Sequence, residues 1–165
     1  MKRFIFAALL LSVCAGFAFA ADPVEGYWVS IDEEGKLTAG WRIYEQSGVL
    51  YGKILAVAGK PRDTIASDVK ESYKDFPVQG AVNKMTVVGT PWIWGLTKKN
   101  EGQWAGGNII DPADGKMYKC KITFRAADGK KYKEDTLEMR GEIGMGIGRS
   151  QFWKKSTPEE IDKIQ

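Results

Sequence analysis

The chemistry open to this chain is bounded first by a gap, because its 165 residues contain no histidine. That removes the side chain that most often serves as a general base near neutral pH and as a zinc ligand. Ser–His and Cys–His nucleophiles are excluded with it. Cysteine occurs twice, at Cys14 and Cys120. Cys120 shares one face of the run Tyr118-Lys119-Cys120-Lys121-Ile122-Thr123-Phe124-Arg125 with Tyr118, Ile122 and Phe124, so it reads as a core side chain and not a reactive thiol. Asp111-Pro112-Ala113-Asp114-Gly115 offers two carboxylates. A calcium site wants roughly six to eight oxygens, whereas these residues are the ones a tight hairpin turn selects. The glycine-rich stretch Gly141 to Gly148 lacks the Gly-Lys-Ser/Thr and the helix of a phosphate loop, and reads as a bulged hairpin. Glu45 or Glu138 beside Arg42 or Arg140 could do acid–base chemistry, yet charges alternating along strands usually form a solvated face. No catalytic residue, metal site or cofactor is expected.

What remains is aromatic. Trp41, Tyr51, Trp92, Trp94 and Tyr118 are the expected ligand-binding side chains, since small-molecule pockets are mostly apolar with few polar groups. The competing reading is that aromatics simply fill a core, which suits Trp28 and Trp104 better. Trp92 and Trp94 admit both readings, and their place after a long polar segment suits a mouth beneath a lid.

The elements that must position these residues are strands. Period-2 alternation runs from Val24 to Lys154, most clearly over Tyr118–Arg125. Further strands are predicted near Gly26–Ile31, Leu37–Glu45, Val49–Val57, Met85–Val88, Gln103–Ile110, Thr136–Glu142 and Gly148–Lys154. Glu34-Gly35, Ser47-Gly48, Asn100-Glu101-Gly102, Asp114-Gly115 and Asp128-Gly129 supply hairpin turns between them. Many short strands joined by short turns predict an all-β sandwich or barrel. Two segments break the rhythm. Gly59 to Asn83 is long and polar, with a short helix expected around Ile65–Tyr73, and such a loop is usually functional or disordered. Thr157-Pro158-Glu159-Glu160 carries a capping box and starts a short C-terminal helix.

Gly26-Tyr27-Trp28 in the first strand and Arg149 in the last resemble the Gly-x-Trp plus late-arginine pattern of lipocalins and other calycins. The resemblance implies that Gly26, Trp28 and Arg149 close the barrel, with the guanidinium stacked on the indole. The run from Trp104 to Tyr118, containing Gly106-Gly107-Asn108 and Asp111-Pro112-Ala113-Asp114-Gly115, resembles the central signature of the DUF2147 family of exported bacterial proteins. Tyr51-Gly52-Lys53-Ile54, Val88-Gly89-Thr90-Pro91, Gly95-Leu96, Leu137-Glu138-Met139-Arg140-Gly141 and Gly148-Arg149-Ser150-Gln151-Phe152-Trp153 complete it in order. That likeness implies a single antiparallel lipocalin-like β-barrel with a long polar loop, and no established general activity. Many members carry cysteines near the end, where this chain is glycine-rich, so a disulfide role is not implied here.

Residues 1–20 read as a signal peptide: Lys2 and Arg3, an apolar run from Phe4 to Phe19, then Ala18-Phe19-Ala20. The run is shorter than the roughly 20 residues a spanning helix needs. Leu11-Ser12-Val13-Cys14 looks like a lipoprotein acceptor with a bulky Val13, and membrane attachment is expected only if Cys14 is lipidated. Residues 21–165 would then be one domain with Cys120 as the lone thiol, so the core must hold the fold without a disulfide. Without Lys2 and Arg3 the chain carries 22 basic and 21 acidic side chains, far from the field of a nucleic-acid binder. The expected product is a periplasmic or otherwise exported protein of the cell envelope that binds a small apolar or amphipathic molecule, a lipid for instance, without catalysis. The alternative is an envelope module with a packed barrel, a protein partner and no ligand.

Overall fold

The computed structural model describes residues 21–144 and 146–165; the expected signal peptide, with Cys14, lies outside the described residues. The alternation of the sequence becomes eight strands: β1 (Gly26–Ile31), β2 (Leu37–Gln46), β3 (Val49–Val57), β4 (Pro91–Asn100), β5 (Gln103–Ile110), β6 (Met117–Arg125), β7 (Thr136–Gly144) and β8 (Ile147–Ser156). Each pairs antiparallel with the next, and β8 returns to β1 to close a barrel. The closing ladder sets Tyr27 against Ser156, Trp28 against Lys155 and Val29 against Lys154. Closure leaves no free sheet edge. The β2–β3 hairpin shows how locally the turns are specified: Ser47 at φ 54° and Gly48 at φ 80° are the two positive-φ positions of a primed turn, whose twist matches that of the strands.

Two expected elements are corrected. Met85–Val88 is not a strand; the fourth strand is Pro91–Asn100, and only an isolated bridge from Ile65 to Thr86 touches the expected stretch. Ile65–Tyr73 forms no helix, and the helical piece of that segment is one 3-10 turn at Val82–Lys84. Residues 58–90 fold back on themselves, with Ala66 N donating to Met85 O and Val87 N to Thr64 O. Ala66, Val69, Val82 and Val87 are buried and anchor the segment on the barrel.

One end of the barrel is packed solid. Trp28, Ile43, Leu50, Leu96, Ile122 and Leu137 fill it and are excluded from solvent. The N-terminal residues seal it: Trp28 Nε1 donates to Val24 O at 2.9 Å, and the Asp22 carboxylate accepts from the Val24 and Gly102 amides and pairs with Lys98 at 2.8 Å. Burial alone would raise the Asp22 carboxyl, but the Lys98 ammonium and the two amides outweigh it and hold the group below its ordinary value. At the same end helix α1 (Pro158–Asp162) starts from the expected capping box, Thr157 accepting from Glu160 N and Glu160 from Thr157 N. Its Ile161 is buried on the outer wall with Val29 and Ala56. Gly40 makes that possible, since a Cβ there would lie 2.6 Å from Ile161 Cγ2.

Candidate functional site

The opposite end is hollow. A cavity of about 930 Å³ opens between the β1–β2 turn, the β5–β6 turn and the β7–β8 hairpin. That volume lies at the upper end of the range for small-molecule pockets. Its floor is the indole pair Trp41 and Trp153, stacked with centroids 4.7 Å apart and planes 23° from parallel. Trp41 Nε1 donates to Ser30 Oγ at 3.2 Å, and Trp153 Nε1 to Gln151 Oε1 at 3.0 Å, so both indoles are fixed by hydrogen bonds as well as by packing. Ile54, Val87, Ile109 and Met139 form the walls. Polar groups gather toward the rim, where Lys60, Asp111 and Arg149 line the opening.

The strands aim these side chains by alternation and by one bulge. On β8 the inward positions are Arg149, Gln151 and Trp153, while Ser150, Phe152 and Lys154 face out. On β7, Met139 faces Gln151 and Gly141 faces Arg149 across the ladder. Between β2 and β3, Gly40 pairs with Ala56 but Trp41 with Ile54, so Leu55 is an extra residue. The bulge turns Ala56 outward onto Ile161 and Val57 inward to the cavity. The β5–β6 turn that frames the opening is held by Asp111 N to Lys116 O and by Gly115 at φ 69°, packed too closely on Val69 and the Tyr73 hydroxyl to carry a Cβ.

Of the five aromatic side chains expected to line a pocket, Trp41 and Tyr118 do so. Tyr51 lies on the outer face, stacked on its cross-strand partner Tyr44 at 5.7 Å. Trp92 and Trp94 flank Ile93, whose partner Ile109 faces the cavity, so both indoles lie on the outer face of β4. Phe76 from the long segment covers them, 6.1 Å from Trp92 and 5.2 Å from Trp94. That segment is thus a wall packed on β4, and only Lys60 and Val87 of it reach the cavity. Trp28 and Trp104 are core, as expected.

The expected closure by Arg149 is corrected too. The cation over Trp28 is Lys155, with Nζ 5.8 Å from the ring centroid. Arg149 stands six residues earlier on β8, about 20 Å away along the strand, and its guanidinium meets Glu33 at 3.6 Å in open solvent. Gly26 does sit beside Trp28, at φ 142° with Nε1 3.8 Å from where its Cβ would be. Sequence reasoning missed Gln151 and Trp153 as lining residues, although the alternation Arg149-x-Gln151-x-Trp153 carries the signal.

The carboxylates considered for acid–base work lie away from the cavity. Glu138 accepts from Arg125 Nε and Nη2 and from Ser150 Oγ on the outer face. Burial would raise it, but Arg125 and Ser150 pull it below its ordinary value, the wrong direction for a general acid near neutral pH. Glu45 accepts from Gly48 N at the β2–β3 turn. Cys120 is buried and its thiol is pushed far up by that burial, as a core cysteine requires.

The comparisons with known proteins agree with this architecture. Residues 26–155 match a family described as an uncharacterized protein conserved in bacteria, DUF2147. The chain belongs to the DUF2147 family. No curated protein matches the chain. Among solved structures, a protein of Helicobacter pylori, HP1028, described as belonging to the lipocalin family, superposes with a TM-score of 0.64 at 16% identity, over 85% of this chain and 87% of that one. At that identity the likeness speaks for the fold. This DUF2147 chain is therefore a lipocalin-like, eight-stranded antiparallel barrel followed by a short C-terminal helix.

Proposed function

We propose that the chain is an exported, non-enzymatic carrier that holds a small apolar or amphipathic molecule in the open end of its barrel. The observation that carries this reading is the cavity of about 930 Å³ above the Trp41–Trp153 floor. Its apolar walls supply binding free energy at roughly 25 cal/mol per Å² of ligand surface buried, less the cost of association. The open interior favours this reading over an envelope module with a packed barrel. Export and a place in the cell envelope rest on residues 1–20 as a signal peptide.

The test begins with protein purified from its native envelope, examined by native mass spectrometry and by solvent extraction. A co-purifying small molecule is expected, released on unfolding. Empty protein that also shows no change in tryptophan fluorescence across a broad set of apolar and amphipathic molecules would overturn the proposal.

A further inference from the structure

The cavity is asymmetric in polarity, and that asymmetry selects a ligand. Going up the inward face of β8, the side chains change from indole at Trp153 to amide at Gln151 to guanidinium at Arg149. Gln151 Oε1 is taken by Trp153 Nε1, while the N–H groups of its amide have no partner among the described residues. Across the ladder from Arg149 stands Gly141, where an added Cβ would lie 3.4 Å from Tyr118 Cβ. Glycine there leaves the inward face of β7 open between Tyr118 on β6 and Arg149 on β8. Lower down, the polar atoms are already engaged: Ser30 Oγ contacts Thr38 Oγ1, Ala39 O and Trp41 Nε1.

The charges at the rim are poorly compensated. Lys60 makes no ion pair among the described residues. Arg149 meets only Glu33, at 3.6 Å, with side chains 85% and 90% exposed, and a pair so open to solvent contributes little. The one lining carboxylate, Asp111, accepts from the Ala113 amide within its own turn. A ligand's anion can therefore replace Glu33 at little cost and gain a charge-assisted, two-pronged contact from arginine.

We infer that the cavity takes an amphiphile with one acidic head group, a carboxylate or a phosphate monoester, held at the rim by Arg149 and Lys60 with its apolar chain on the Trp41–Trp153 floor. This rests on the reading of the cavity as a ligand site. The experiment titrates the chain starting at Ala21 with dodecanoic acid, dodecyl phosphate and dodecanol, following tryptophan fluorescence. Both acids should bind about tenfold or more tightly than the alcohol, by one to two charge-assisted hydrogen bonds. Arg149→Gln should erase that preference by weakening the acids far more than dodecanol, Lys60→Gln should reduce it, and added salt should weaken the acids alone. Whichever acid loses more on Arg149→Gln identifies the head group. Equal binding of acid and alcohol by the unaltered chain, or an equal loss of both on Arg149→Gln, would overturn the acidic head group and leave the carrier reading intact. Binding of none of the three, nor of any apolar probe, would remove both. Arg149 is exposed, so the variants should keep the far-ultraviolet spectrum and the unfolding midpoint of the parent.

Discussion

Asp22 shows how one buried carboxylate can seal the end of a barrel. Its oxygens answer two backbone amides and the Lys98 ammonium, and its titration is displaced downward in the folded state. The unfolded chain then binds the proton more readily, so the group stabilises the fold above its unfolded pKa of about 3.9 and loses that contribution as pH falls through the lower folded value. Asp22→Asn should cost about 1–2 kcal/mol at pH 7 and flatten the stability curve below roughly pH 4. Urea titrations of both proteins at several pH values test this; parallel curves at every pH would refute the role. At the other end Gly141 keeps the inward face of β7 open. Its backbone lies outside the positive-φ set and its Cβ contacts are ordinary, so Gly141→Val should fold, with a stability change within about 1 kcal/mol. The same variant should weaken ligand binding in a fluorescence titration, because the new methyls stand between Tyr118 and Arg149.

The long connection between β3 and β4 acts as an element although most of it has no regular structure. Phe76 lies over Trp92 and Trp94, and Tyr73 donates to Gly115 O at 2.8 Å, tying the segment to the β5–β6 turn. Phe76→Ala should cost about 2 kcal/mol, less than for a fully buried phenylalanine, and shift tryptophan emission to the red as both indoles gain water. Unaltered emission would mean that the segment does not shield them. This is also where the sequence was hardest to read. Trp92, Ile93 and Trp94 are buried on both faces of β4, one by the barrel interior and one by the segment, so no alternation marks the strand. Met85–Val88 resembled a strand because it is apolar, yet it pairs only through Thr86. The helix α1 was legible because a capping box is a local signal. Ile161→Ala should nonetheless cost about 2–4 kcal/mol, since Ile161, over Gly40, is the buried side chain of this helix of under two turns. Thermal unfolding measures it.

Over the whole molecule, alternation on β6 revealed which residues face inward, and β8 carries the same signal, but it could not say which level of the barrel each reaches. That depends on the β1–β8 register, which sets Lys155 and not Arg149 beside Trp28. The cavity was invisible for the same reason: its emptiness is a sum over seven strands and the β3–β4 connection, with Gly141 and the Trp41–Trp153 stack at different heights. The buried core makes a prediction of its own. Cys120, paired across the ladder with Gly141 and shut off from solvent, should react with a thiol reagent in the chain starting at Ala21 only at the rate of opening, and fast labelling under native conditions would contradict that burial.

The ladder that closes the barrel joins the first strand to the last. Contacts so distant along the chain are the slowest to reward the loop entropy spent on them. A partly made chain has two raw edges, β1 and whichever strand came last, and each can template pairing with another copy. A barrel of this kind is therefore most exposed to aggregation before β8 is complete. Loss of β8 would open a sheet whose terminal strands have nowhere to pair except a neighbour.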